Sequence, residues 1–136
     1  MRAILDPNVI ISALLSRDGT PARVLRAWLE GRFDLVVSPL LFEELKRALA
    51  YLKLAERIKA DEATALIDWL RREGIIVDDP AEPPTSRSED PDDDYLLALA
   101  ETERAVLVSG DRHLLALTEE LPVLTAREFL VTIGAS

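Results

Sequence analysis

Short apolar stretches recur along the chain and have the length of buried β-strands. Each is bounded by charged or turn-forming residues, and each is too short to complete the apolar stripe of a helix. The first, around Ile4 and Leu5, ends abruptly at Asp6. Five strands are therefore predicted, at Arg2–Leu5, Phe33–Val37, Ile75–Val77, Ala105–Val108 and Val123–Leu124.

Helical patterns fill the segments between these strands. Thr20 and Pro21 form a typical helix start, with Thr20 as N-cap and Pro21 in the first turn. Asp61 and Glu62 are predicted to cap another helix, which stops at Gly74. Helices are predicted after Pro21, over Leu41–Leu52, from Asp61 to Gly74, over Tyr95–Ala100, from near Asp111 and over Ala126–Leu130, with a loop from Pro80 to Pro91.

Alternation of strands and helices predicts an α/β fold in which a parallel sheet is covered on both faces. At 136 residues and 49% apolar composition, the chain fits one domain, residues 1–136. In such sheets ligands bind beyond the carboxyl ends of the strands. Asp6 directly follows the first strand, and Asp111 follows the fourth after Ser109 and Gly110. These two acids are the first candidates for chemistry.

Composition narrows the class of protein. There is no cysteine, so disulfides and thiolate metal sites are excluded, and the single histidine, His113, gives no zinc-binding spacing. No apolar run approaches the roughly 20 residues of a membrane helix, and the N-terminus lacks the apolar core of a secretory signal. We expect a cytoplasmic protein without a membrane partner, in which any metal must be held by oxygen atoms or by His113.

The net charge of −9 would usually argue against a nucleic-acid partner. The acids are concentrated, however: eight of them lie between Asp78 and Asp94, against the single Arg87. The rest of the chain is therefore nearly neutral and has room for basic patches. Lys53-Arg57-Lys59, Arg71-Arg72 and Arg112-His113 are the candidates, although such groups are more often ordinary solvated surface.

The acidic run at Asp92–Asp94 leads into the Tyr95–Ala100 helix. Asp93 has Leu96, Leu97 and Ala100 at helical spacing and so falls on the inward face, whereas Asp94 falls on a more exposed face and Asp92 is ambiguous. A buried carboxylate requires a cation or hydrogen bonds. The alternative is that the run only caps the helix and complements its dipole.

The adjacent acids Glu43 and Glu44 can be separated in the same way. Glu43 has Lys46 and Arg47 three and four positions later, the pattern of a solvated ion pair. Glu44 lies next to the apolar stripe and is the better functional candidate.

Two protein families that place acids at strand ends do not fit this sequence well. In haloacid-dehalogenase-type phosphatases a second Asp stands two residues after the first and acts as general acid, but this chain has Asn8, its only asparagine, after Asp6. A response-regulator receiver requires a lysine after a late strand, and Ser109-Gly110-Asp111 supplies none.

Four motifs occur in an order that resembles the PIN domain, in particular the VapC-like toxins of bacterial and archaeal toxin-antitoxin pairs. They are Asp6-x-Asn8, Glu44 within Glu44–Leu49, the acidic helix start within Asp90–Ala100, and Val108–Asp111. The resemblance covers essentially the whole chain, including a closing Leu124–Leu130 segment.

The resemblance implies a three-layer α/β/α sandwich with a five-stranded parallel sheet of order 3-2-1-4-5, and a Mg²⁺- or Mn²⁺-dependent endoribonuclease. Glu43 remains an alternative to Glu44, and Asp94 can contribute beside Asp93. By position in the motifs, the metal ligands are Asp6, Glu44, Asp93 and Asp111, the supporting residues are Asn8, Ser109 and Asp94, and Arg112 is a possible phosphate contact.

The same resemblance implies an RNA substrate, a cognate antitoxin that covers the acidic cleft, and a homodimer. The competing function is a PIN-like domain that binds RNA or protein without cutting, while a DNA flap nuclease would need more acids and more chain.

Because clustered carboxylates repel one another, at least one should have a pKa above its usual value without metal.

Overall fold

The computed structural model describes residues 1–84, 91–118 and 121–134, and within them the strands form one parallel sheet. The strands are β1 Arg2–Leu5, β2 Asp34–Val37, β3 Ile75–Ile76, β4 Val106–Val108 and β5 Val123–Leu124. Their order is β3-β2-β1-β4-β5, which confirms the predicted fold and strand order.

The central strand β1 is paired on both sides. Ala3 pairs with Leu35 of β2 and with Val106 of β4, and Ala3, Ile4 and Leu5 are all at most 1% exposed. Helices flank the sheet, so a strand at its centre has no solvated face. This is why its sequence is continuously apolar instead of alternating.

Seven helices are present in the described residues, together with a short 3₁₀ turn at Pro91–Asp93. The first of them, Pro7–Leu15, was not predicted, although Asp6 as N-cap followed by Pro7 is a strong start signal. The helices are α1 Pro7–Leu15, α2 Thr20–Leu29, α3 Pro39–Leu54, α4 Ala60–Glu73, α5 Asp94–Glu103, α6 Arg112–Leu115 and α7 Ala126–Thr132.

Two predicted helix starts are wrong by one or two residues. Thr20 is the first residue of α2 and extended Gly19 is its N-cap, so the hydroxyl does not cap the helix. Asp61 and Glu62 lie inside the first turn of α4, after Lys59 as N-cap. There their charges interact favourably with the positive end of the helix dipole. Gly74 ends α4, as predicted.

Aromatic side chains join the helices to the core. The rings of Trp28 on α2 and Trp69 on α4 lie 5.6 Å apart, and Phe33 meets Phe129 of α7 edge-to-face at 4.9 Å. Both tryptophans therefore belong to the packing between the helices and the core. Within the described ranges, no helix combines the length and the apolar character that crossing a bilayer requires.

Buried polar side chains mark one edge of the sheet. In the described part of the chain they are Asp6, Ser38 and Ser109, which follow the neighbouring strands β1, β2 and β4. Each lies at or just beyond the carboxyl end of its strand. Polar groups are buried only where they have partners, so this edge is where a functional site is expected.

Gly74 provides a test of how tightly the α4–β3 connection packs. A Cβ at this position would lie 2.5 Å from the carbonyl oxygen of Leu70 and 3.2 Å from Cγ2 of Val37. We expect Gly74→Ala to lower the free energy of unfolding by about 1–3 kcal/mol, because the backbone must shift. Urea denaturation measures the change.

Gly110 is the matched control, since a Cβ there meets no atom within 4 Å. Gly110→Ala should change the free energy of unfolding by less than about 0.5 kcal/mol. Equal stabilities for the two variants would show that the connection is more loosely packed than the structure indicates.

Candidate active site

Asp6 is the most deeply buried charged residue of the described chain, with 4% of its surface exposed. It follows β1 directly and is the N-cap of α1. Its Oδ1 accepts a hydrogen bond from the backbone N–H of Asn8 at 2.9 Å, and its Oδ2 accepts one from Ser109 Oγ at 2.8 Å. These two bonds fix the orientation of the carboxylate at the end of the central strand.

Ser109 links Asp6 to Asp111. Its Oγ donates to Asp6 and accepts from the backbone N–H of Asp111 at 3.0 Å. Asp111 in turn is the N-cap of α6, and its Oδ1 accepts from the backbone N–H of His113 at 2.7 Å. The structure therefore brings together the ends of β1 and β4, as the strand-end argument predicted for Asp6 and Asp111.

Burial sets the acid–base behaviour of Asp6. Loss of hydration raises the pKa of Asp6 above its ordinary value, hydrogen bonds from Asn8 and Ser109 oppose this rise, and the charge of Asp111 adds to it. The expectation that one carboxyl has a raised pKa is confirmed. The expected cause was mutual repulsion, but burial is the larger cause and repulsion the smaller.

Tyr95 joins the predicted ligand Glu44 to the same region. Its hydroxyl, on α5, donates a hydrogen bond to Glu44 Oε2 on α3. Burial, this bond and the negative charges of Glu44, Asp6 and Asp79 all raise the pKa of Tyr95 well above its ordinary value. The phenol therefore remains a protonated donor facing several carboxylates.

The sequence analysis did not identify Tyr95 as a functional residue. It stands two residues after Asp93 at the start of an apolar helix, where an aromatic ring usually indicates core packing. The available signal was that a partly buried tyrosine needs a partner for its hydroxyl. Sequence spacing gives no means of finding that partner, Glu44, 51 positions away.

Glu43 and Glu44 differ in burial as predicted, since Glu43 is exposed and Glu44 is half-buried. The expected ion pair of Glu43 with Lys46 or Arg47 is not formed. The ion pairs found between described residues are Arg2–Glu103 and Arg72–Glu73. An exposed pair gains little free energy and loses side-chain entropy, so helical spacing alone does not ensure it.

Asp93 occupies the N-cap position of α5, but its side chain makes no capping hydrogen bond there. One of its carboxylate oxygens, Oδ2, is inaccessible to solvent. Asp92 is exposed, whereas Asp93 and Asp94 are both half-buried. The helix register had placed Asp93 on a more buried face than Asp94, and the structure does not show this difference in burial. Capping geometry thus does not account for Asp93. Asp90, part of the same motif, lies outside the described residues.

The segment after β3 contributes Asp79, which the sequence analysis noted only as part of the acidic run. Its Oδ2 accepts from the backbone N–H of Leu40 at 2.9 Å, and Ser38 Oγ accepts from that of Leu41 at 3.4 Å. Two side chains thus satisfy the free N–H groups at the start of α3. Since α3 carries Glu44, this double cap fixes the helix on which a predicted ligand lies.

The site opens to solvent beside Asp111. A cavity of about 320 Å³ is lined by Asp111, Gly110 and Asn8, together with Ser12 of α1 and Pro21 of α2. Asn8 is exposed, and its backbone rather than its side chain contacts Asp6. Arg112, the first residue of α6, is also exposed. Both residues are accessible to a bound substrate.

The acidic side chains have the oxygen atoms and the charge that a cation requires, but they do not form a closed cage. Over residues 1–84, 91–118 and 121–134, no three Asp, Glu or His side chains are close enough to hold one ion between them. Asp6 and Asp111 nevertheless repel each other, and Asp6 is buried as an acid with a raised pKa. A small oxygen-binding cation would relieve both costs, with water completing its coordination.

Solved structures from three organisms share this fold. PAE2754 from Pyrobaculum aerophilum superimposes with a TM-score of 0.64 at 20% identity, covering 100% of this chain and 91% of that one. VapBC2 from Rickettsia felis, bound to a DNA fragment from its promoter, gives 0.64 at 17%, covering 92% and 97%. The PilT N-terminus domain protein SSO1118 from Sulfolobus solfataricus gives 0.55 at 15%, covering 98% and 93%. At these identities the similarity establishes the fold.

Sequence comparisons extend the similarity to a family. The uncharacterized protein MJ1680 of Methanocaldococcus jannaschii is 23% identical over 141 residues, which cover 96% of this chain and 90% of that protein. The family model described as the PIN domain matches residues 2–113, a range that includes Asp6, Glu44, Asp93 and Asp111. PIN domains are generally nucleases that use divalent metal ions. The chain belongs to the PIN domain family.

Proposed function

We propose that this protein is a divalent-metal-dependent endoribonuclease and the toxin of a toxin-antitoxin pair. The observation that supports this most directly is the hydrogen-bonded chain Asp6–Ser109–Asp111 at the carboxyl ends of β1 and β4. It holds a buried carboxylate next to a second one, beside the Tyr95–Glu44 pair. A metal-dependent nuclease needs such an acidic centre to hold its metal.

The ligands we propose for the metal are Asp6 and Asp111, with Glu44 and Asp93 completing the acidic set. Mg²⁺ and Mn²⁺ prefer oxygen ligands and retain several waters, so they do not require a cage made only of side chains. Such an ion would polarise the phosphate and lower the pKa of a water molecule for attack on phosphorus. No nucleophilic side chain is then required.

The remaining residues orient these acids and the substrate. Ser109 fixes the rotation of the Asp6 carboxylate, and Tyr95 fixes one oxygen of Glu44. Such outer contacts commonly set metal affinity, because they decide where ligand oxygens point. Asn8 and Arg112 are exposed at the opening, where they can donate hydrogen bonds to the RNA backbone.

A bound metal should also remove the pH dependence that Asp6 gives to the free energy of unfolding. Folding raises the pKa of Asp6, so without metal the folded state takes up a proton more readily than the unfolded state. The contribution of Asp6 to stability is therefore present below its unfolded pKa and lost as pH rises through its folded pKa. A bound cation stabilises the charged carboxylate and removes this loss.

We infer an RNA substrate and an antitoxin partner from the family and from one structural neighbour. PIN domains are generally nucleases, and one structural neighbour carries the name VapBC2, which matches the VapC-like toxins that the sequence motifs resemble. By analogy we assign this chain a cytoplasmic location, a homodimeric state and an antitoxin that covers the acidic edge. The competing function is a PIN-like domain that binds RNA or protein without cutting.

Cleavage of a mixed structured RNA tests the proposed activity. Wild type should cut in Mn²⁺ or Mg²⁺ and not in EDTA, and Asp111→Asn should cut at least about 100-fold more slowly because it weakens the metal site. The Asn side chain can still accept from His113 N–H, so the start of α6 is retained. Gel electrophoresis of end-labelled RNA measures the rate.

Asp34→Asn is the matched control, because it makes the same change at the exposed amino end of β2. This residue lies at the amino ends of the strands, opposite to the site at their carboxyl ends. It should cut like wild type. Equal cutting by both variants would contradict the proposed site. RNA that is bound in Mn²⁺ but never cut by wild type would favour the non-catalytic function.

Tyr95→Phe tests the role of the phenol hydroxyl. The ring and its packing remain, but Glu44 loses the donor that orients Oε2. We expect the Mn²⁺ concentration for half-maximal cutting to rise by roughly 10-fold, as for other outer contacts to metal ligands, while the rate at saturating Mn²⁺ falls less. A metal dependence identical to that of wild type would rule out this positioning role.

A further inference from the structure

A groove between α1 and α3 leads away from the acidic site and has no role in the function described so far. It encloses about 350 Å³. Asn8 of α1 and Glu44 of α3 line it, so it is continuous with the predicted site. Any ligand that fills it therefore lies next to the position of the chemistry.

One face of α3 forms most of this groove. Glu44, Arg47, Ala48 and Tyr51 are spaced three and four residues apart, so they follow one another along the same side of the helix. The groove thus extends from Glu44 toward the end of α3. A chain that passes through the acids can continue along this face.

Apolar and aromatic groups line the far part of the groove. Ile11, Leu52 and Tyr51 line it, and Tyr51 is 71% exposed. An exposed aromatic ring beside apolar side chains suits a flat group that stacks. Unpaired nucleobases are recognised by stacking on such aromatic side chains, with little dependence on base identity.

Arg47 supplies the charge that this ligand requires. It is exposed, and it takes part in none of the ion pairs found between described residues. In a chain of net charge −9, a guanidinium without a carboxylate partner, one helical turn from Glu44, favours an anionic ligand. Guanidinium groups bind phosphate bidentately and also stack on bases.

We propose that this groove binds the nucleotide next to the cut phosphodiester, with the base on Tyr51 and a neighbouring phosphate at Arg47. The inference rests on the proposed function and extends it to substrate binding. Single-stranded RNA is favoured over a peptide because Glu44 and Asn8 belong both to the groove and to the proposed active site. In addition, the ring of Tyr51 matches a base and the guanidinium of Arg47 matches a phosphate.

Binding without cutting tests the groove separately from the nuclease activity. Fluorescence anisotropy would measure the affinity of Asp111→Asn protein for a labelled single-stranded RNA of mixed sequence, in EDTA at fixed salt. Adding Tyr51→Ala should weaken binding by roughly 5- to 100-fold, the usual effect of losing one stacked base. Tyr51→Phe, which keeps the ring, should stay within about two-fold of the parent.

Charge is tested by Arg47→Gln, with Lys53→Gln as control. Both remove one positive charge from α3, but Lys53 lines a separate groove against α4. Arg47→Gln should weaken binding and reduce its salt dependence, whereas Lys53→Gln should weaken it less than about two-fold. All positions are exposed, so melting temperatures should match the parent.

The outcomes separate this proposal from the proposed function. Suppose that Tyr51→Ala and Arg47→Gln weaken RNA binding but wild type never cuts. This result would support RNA binding in the groove and refute the nuclease activity. Metal-dependent cutting by wild type, with RNA affinity unchanged by Tyr51→Ala and Arg47→Gln, would refute the groove and leave a peptide as its occupant. Absence of RNA binding by the parent would also refute it.

Discussion

The structure depends on the burial of one carboxylate at the end of its central strand. Asp6 is nearly inaccessible, and two hydrogen bonds, from Asn8 and Ser109, only partly offset its lost hydration, so its pKa is raised. A buried charge of this kind destabilises the fold unless a cation compensates it. Asp111 increases the cost by adding a second negative charge nearby. In the proposed function a bound cation would offset this cost, which the metal-free protein bears as lost stability.

Parallel strand order places this site. Because β1 is central and pairs with β2 and β4, residues just beyond their carboxyl ends meet at one edge. The helices that follow then present their N-terminal turns to the same edge, with Asp6 and Asp111 as N-caps of α1 and α6. Asp79 and Ser38 fix the start of α3 in the same way, so Glu44 is held on a stabilised helix. The fold and the acidic site therefore follow from one topological arrangement.

Local patterns predicted the parts of this arrangement that depend on burial. All five strands could be predicted from short apolar runs. In β1, β2 and β4 these runs are largely buried, whereas the edge strand β3 keeps Ile76 exposed. The strand order came from the resemblance of the acidic motifs to the PIN domain. Contacts between distant segments were not predictable: Tyr95 finds Glu44 across 51 positions, and only the fold shows it. Conversely, the ion pair expected for Glu43 from helical spacing is absent among the described residues, because exposed pairs gain little.

The central claim is that buried Asp6 and the half-buried carboxylates beside it form a cation site. Thermal unfolding with and without Mn²⁺ tests it most directly. At neutral pH, changing from EDTA to Mn²⁺ at about 100 times its dissociation constant should raise the midpoint of wild type by about 5 °C or more, since the ion binds only the folded state. Asp6→Asn should lose most of this rise. A midpoint that is the same in EDTA and in millimolar Mn²⁺ would contradict the account.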